Sequence, residues 1–368
     1  MCSASANSSN CAVLVVANLL ELPNSVTTPP SDSTADSSST PLDLRDLPPY
    51  PHFYVPVLPR PPLKSLVLAV ALFLLTLCTC LAAGTQFAAA YAHNQAVSVD
   101  EFLRAFTLFY KNPAGLLAGL PFAATLLTIL LAHELGHFFA CRHHHIHSTY
   151  PFFIPFPNLI GTFGAFILIR SPIRTTRALF DVGASGPLAG LVFAVPTLVY
   201  GVLHSSIVPA ITNPDPNQNT VIFGIPLLLR LLDAFFHPGV NPHFLLLPPV
   251  GRAAWVGLFV TSLNLLPSGQ LDGGHILRSV SPHIHRVFSW LVPALLLALG
   301  YFTSFRLPDG NFHWSLWYVW AVLLFGLRFL RIAPVYDPVP LDPPRRFAAF
   351  LTLIIFTLCF MPAPLFGL

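Results

Sequence analysis

Seven charge-poor, apolar stretches approach the roughly 20 helical residues that a bilayer core of about 30 Å requires: Ser65 to Gly84, Leu116 to Cys141, Val182 to Leu203, Ala253 to Leu271, Val287 to Phe305, Asn311 to Leu327 and Phe347 to Leu368. The chain has too few charges to cover them with a polar surface. Only 9% of its 368 residues are charged while 54% are hydrophobic, against about 25% charged in a soluble domain. Glutamate occurs only at Glu21, Glu101 and Glu134, and lysine only at Lys64 and Lys111. A soluble enzyme is excluded. The expected fold is an all-α polytopic membrane protein of about seven transmembrane helices. Pro226, Arg230 and Asp233 interrupt Val221 to Phe236, which reads as an interfacial helix.

Residues 1–63 are rich in Ser, Thr, Pro and Asp and hold too little apolar surface to order themselves, so a disordered tail is expected, with a membrane domain over residues 64–368. The six cysteines have no regular spacing and suggest no disulfide framework. A net charge of +3 with no Lys/Arg run excludes nucleic acid as a partner. If the seven spans alternate, 13 of the 18 Lys and Arg fall on the side of the tail, which the positive-inside rule places in the cytoplasm. The tail lacks the Arg-rich, acid-poor character of an organelle transit peptide, so a bacterial cytoplasmic (inner) membrane is the expected address.

The second stretch contains Leu131-Ala132-His133-Glu134-Leu135-Gly136-His137, which fits H-E-x-x-H. Residues four apart share a helix face, so His133 and His137 can hold one metal ion while Glu134 points toward a water on it. Ionisable groups inside an apolar helix are costly to insert and mark function. Counting from Leu116, His133 lies about 26 Å along the helix, toward the cytoplasmic face. Two histidines leave a catalytic zinc one protein ligand short. The fourth stretch ends Asn264-Leu265-Leu266-Pro267-Ser268-Gly269-Gln270-Leu271-Asp272-Gly273-Gly274-His275, and Asp272 is preferred as the third ligand over its rival His275.

These motifs resemble the site-2 protease family of intramembrane zinc metalloproteases. The resemblance is carried by His133-Glu134-Leu135-Gly136-His137, by Asn264 and Pro267 followed by Leu271-Asp272-Gly273, and by Ala184-Ser185-Gly186-Pro187-Leu188-Ala189-Gly190. Tyr150-Pro151-Phe152-Phe153-Ile154-Pro155 leading into Gly161-Thr162-Phe163-Gly164 is similar to the bacterial and plastid branch. The resemblance covers a catalytic core of about residues 116–280. It implies that His133, His137 and Asp272 hold one Zn2+, that Glu134 is the catalytic base, and that the substrate is a membrane-spanning protein cut by regulated intramembrane proteolysis. Many members carry a PDZ module between core spans; no soluble block of that size is present here. A membrane metal transporter, or an inactive relative that binds membrane helices, are the alternatives, and Glu134 between two histidines speaks against transport.

A substrate helix hides its amides in its own hydrogen bonds, so the cleaved stretch must be held extended by the enzyme. Residues 151–171, glycine-punctuated and ending in β-branched residues, are expected to form a re-entrant or β-hairpin-like segment that pairs with it. Asn264 and Gly164 are candidates for binding substrate backbone or the oxyanion. Gly186, Pro187, Pro267 and Gly273 have structural roles, and Gly183, Gly186 and Gly190 are expected to face the catalytic helix.

Overall fold

The computed structural model describes residues 62–98, 105, 107, 111–209, 220–306, 313–327 and 339–367. Contacts divide the chain into Met1–Pro56 and Val57–Leu368, and every described residue belongs to the second unit. The tail expected over residues 1–63 lies outside the described residues apart from Pro62 and Leu63.

The protein is mostly helical and of membrane type. Its long helices are α1 (Leu63–His93), α2 (Leu120–His143, entered through the 3-10 turn Pro113–Gly119), α3 (Thr176–Leu203), α5 (Pro249–Asn264) and α7 (Pro282–Thr303). Between them lie α4 (Leu227–Phe236) and α6 (Asp272–Val280), and α8 (Leu316–Leu327) and α9 (Pro343–Cys359) follow. Among the described residues, four helices are long and apolar enough to cross a membrane: Leu63–His93, Pro113–His143, Thr176–Leu203 and Pro282–Thr303. The other three expected spans are shorter as helices. The stretch from Ala253 to Leu271 is divided, with helix ending at Asn264. Pro267 lacks an N–H and disfavours helical backbone at Leu266, and Gly269 adopts a left-handed φ of 59°. The sixth and seventh stretches give helices of 12 and 17 residues.

Short strands join the helices. Phe152–Pro155 (β2) pairs antiparallel with Thr162–Phe166 (β3), forming a hairpin. Val97–Ser98 (β1), Thr220–Phe223 (β4) and Leu365–Gly367 (β5) form a three-stranded sheet in the order β1-β4-β5. The interfacial helix expected over Val221 to Phe236 is thus a strand followed by α4, the break falling at Pro226, which caps the helix.

The main apolar core joins Phe87 of α1, Phe122, Leu126 and Ile129 of α2, Leu198 of α3 and Leu258 of α5. Outward positions are equally apolar: Val192, Phe235 and Phe302 are 67%, 78% and 82% exposed, the pattern of helices solvated by lipid. Within this setting α1 supports the hairpin through its few polar groups. Thr79 Oγ1 donates to the Gly161 carbonyl at 2.6 Å and Gln86 Nε2 to that of Leu159 at 3.0 Å. They satisfy loop carbonyls that lipid could not.

Candidate metal centre

Helix α2 presents His133, Glu134 and His137 on a buried stretch, with exposures of 3%, 5% and 7%. The facing wall is α3. Gly186 lies against the His137 ring and Gly190 against His133, where an added Cβ would come 3.3 Å from His133 Cβ. Gly136 of α2 is similarly close to the backbone of α3, since a Cβ there would lie 2.5 Å from the Ser185 carbonyl oxygen. Gly183 departs from the expectation that it faces α2: its neighbours are His275 Cβ and the Asp272 carbonyl of α6, at 2.9 and 3.1 Å from a Cβ. The glycine row therefore serves two partners, α2 and α6.

Orientation of His137 comes from the backbone. Its Nδ1 donates to the Val182 carbonyl at 2.7 Å, which leaves the Nε2 lone pair facing inward. Pro187 has no N–H for the Gly183 carbonyl, so the regular α3 ladder is interrupted one residue beyond Val182.

Asp272 arrives from the other side. Residues 265–271 turn back after α5, and Gly273 sits so close to the Leu265 carbonyl that a side chain would overlap it. Gly274 approaches the Ser268 and Gly269 carbonyls, at 2.7 and 2.6 Å from a Cβ. This tight return, with Pro267 within it, opens α6 at Asp272, and the positive end of that helix favours a carboxylate in its first turn.

Three ligand atoms converge: His133 Nε2, His137 Nε2 and Asp272 Oδ2, with separations of 3.1 Å between the imidazoles and 3.2 and 3.3 Å from each to the carboxylate. A tetrahedral zinc with bonds of about 2.0–2.1 Å places its ligand atoms about 3.3 Å apart, so the triangle has the right edges. Asp272 Oδ2 is buried and has no hydrogen-bond partner, an orphaned acceptor that a cation would satisfy. The donor set fits zinc, and these three residues are the group that could hold a metal among the described residues. His275 is not part of it.

Two more groups face the triangle. Asn264, the last residue of α5, places Nδ2 3.1 Å from His133 Nε2. The Glu134 carboxylate is met by the backbone N–H of Ile167, one residue past β3, which brings the hairpin to the proposed base. Gly164 lies within β3 at φ 107°, with open space where a Cβ would stand. Sequence reasoning missed Val182 and Ile167, because both act through the backbone and carry no side-chain signature. It also missed a polar clamp at the end of α2. His144 Nε2 and Arg345 Nη2 both lie 2.7 Å from Asp181 Oδ2, and Arg345 Nε donates to Oδ1 at 2.8 Å.

The profile of Peptidase family M50 matches residues 121–305, half of the chain. The chain belongs to this family. Among curated relatives, the rice (Oryza sativa subsp. japonica) "Probable zinc metalloprotease EGY1, chloroplastic" is 35% identical over 163 residues, covering 44% of this chain and 28% of that protein. The Arabidopsis thaliana "Probable zinc metalloprotease EGY2, chloroplastic" is 28% identical over 267 residues, or 68% and 45%. The Arabidopsis thaliana "Probable zinc metalloprotease EGY1, chloroplastic" is 35% identical over 165 residues, or 44% and 29%. This chain spans less than half the length of each of these relatives. No solved structure matches it. All three are plant proteins named chloroplastic, whereas the address expected from the tail was a bacterial membrane.

Proposed function

We propose that this M50 family chain is an intramembrane zinc endopeptidase that hydrolyses peptide bonds of membrane-spanning proteins. The observation that carries this reading is the His133, His137 and Asp272 triangle with its unpartnered carboxylate oxygen, set beside Glu134. His133, His137 and Asp272 would hold a single Zn2+. When bound, zinc supplies the Lewis acidity that activates water and polarises a scissile carbonyl.

The chain's own residues do the rest. Glu134 accepts the proton of the attacking water at its carboxylate and returns it to the departing amide nitrogen. Val182 keeps the His137 ring in the tautomer that leaves Nε2 free. Asn264 has an amide at the rim of the triangle and would donate to the oxyanion or substrate backbone. The β2–β3 hairpin, with Gly164 in its second strand, would form a re-entrant element whose free edge pairs with an unwound substrate strand. The shorter helices α5, α8 and α9 would complete seven spans with their flanking turns, placing the N-terminus and the metal toward the positive side of the membrane. The chloroplastic names of the relatives favour a plastid membrane.

The test is Glu134→Gln in the full chain, assayed against a model membrane-spanning substrate. Zinc content is expected to stay and cleavage to fall by about 10²–10⁴-fold. Undiminished cleavage would refute the reading.

A further inference from the structure

At the end of α5 away from the metal, Arg252 sits 7% exposed in the first turns of the helix. Its backbone N–H is satisfied by the Pro248 carbonyl at 2.9 Å. Its side chain is different: among the described residues, none accepts a hydrogen bond from the guanidinium or pairs with it as a carboxylate. Its contact is with the Phe223 ring, whose centroid lies 3.9 Å from Cζ. A contact of this kind is not a hydrogen bond to an acceptor, so the N–H donors of the guanidinium have no acceptor among the described residues.

Arg252 also borders a cavity of about 40 Å³ that Phe223, Trp255, Leu229, Val97 and His243 help to line, with no Asp or Glu in its wall. About 10–15 Å³ admits one water, so the space has room for a larger polyatomic group. The Trp255 Nε1 donor is already committed to the Gly224 carbonyl at 2.7 Å. The N-terminus of the 16-residue helix α5 adds its positive end to the same region. A buried cation without a counter-charge is unfavourable, and here size, sign and donor geometry all suit an oxyanion. Arg252 is about 18 Å along the helix from Asn264, so this region is separate from the metal centre.

We propose that the cavity is a phosphate-binding site, in which a phosphate group docks on the Arg252 guanidinium. The phosphate comes from a lipid headgroup or from solution, and one experiment distinguishes these sources. The full chain in detergent is titrated with inorganic phosphate against sodium chloride of equal ionic strength while its thermal midpoint is read. In parallel, it is placed in nanodiscs of a neutral, phosphate-free galactolipid with and without phosphatidylglycerol.

A saturable rise of a few degrees with phosphate, absent from Arg252→Gln, identifies a soluble anion. A rise with phosphatidylglycerol alone, again lost in Arg252→Gln, identifies a lipid headgroup. No response beyond chloride in either arm, or an equal response in Arg252→Gln, overturns the proposal. Because Arg252→Gln alters a buried position and can fail to fold, Arg252→Lys provides a second, independent variant. It keeps the charge but loses the two-pronged donor, and an undiminished response in that variant also overturns the site.

Discussion

Gly186 stands against His137 so closely that a single added methyl group would overlap the imidazole. With the Val182 carbonyl holding Nδ1 at 2.7 Å, α3 fixes both the rotation and the position of this ring. Gly186→Ala is expected to displace the ring and weaken zinc binding by about 10–100-fold, the scale of losses when a ligand's support is disturbed. Competition with a chelating dye on folded protein measures it. Wild-type affinity in this variant would show that the ring has more freedom than the packing indicates.

The third ligand can be decided by substitution. Asp272→Ala is expected to leave the purified protein without stoichiometric zinc, because two imidazoles alone do not make a closed site. His275→Ala is expected to retain it, since His275 lies against Gly183 outside the triangle. Elemental analysis after gel filtration reads both variants, and zinc loss confined to His275→Ala would reverse the assignment.

Metal removal should also register as lost stability. Ligand binding to the native state stabilises it by about 4 kcal/mol at a thousand times the dissociation constant. A strong chelator is therefore expected to lower the thermal midpoint of the wild type and to leave that of Asp272→Ala unmoved. Equal shifts in the two proteins would trace the effect to something other than this centre.

Arg345 joins α9 to α3 by paired donors to Asp181, at 2.8 and 2.7 Å, and His144 of the turn after α2 shares the same carboxylate. The Arg345 and Asp181 side chains are 28% and 24% exposed, so solvent screens part of the interaction. Arg345→Met is expected to cost about 1–2 kcal/mol and to lower the melting midpoint by several degrees. A melt indistinguishable from wild type would show that the clamp contributes no net stability.

Where side chains recur at a fixed spacing, the fold was readable from sequence. His133 and His137 four apart on an apolar helix already share a face, and the lone carboxylate among glycines after Asn264 pointed to Asp272. Hydropathy was blind to the division of residues 253–271, because an average over apolar side chains does not register that Pro267 has no N–H and that Gly269 turns left-handed. Gly183 was misplaced for a related reason: glycine spacing reveals that something comes close without revealing which helix does so. The Asp181 to Arg345 clamp spans 164 positions, and no local periodicity announces a contact of that range.

Asn264 meets His133 across 131 positions of the polypeptide, and Asp272 comes later still. During synthesis the paired imidazoles of α2 therefore emerge long before the carboxylate that joins them has been translated. A nascent chain halted in between carries an incomplete set of the proposed ligands. For the proposed centre, assembly is thus tied to biogenesis: the ribosome must pass its second half before the first half has its full set of ligands.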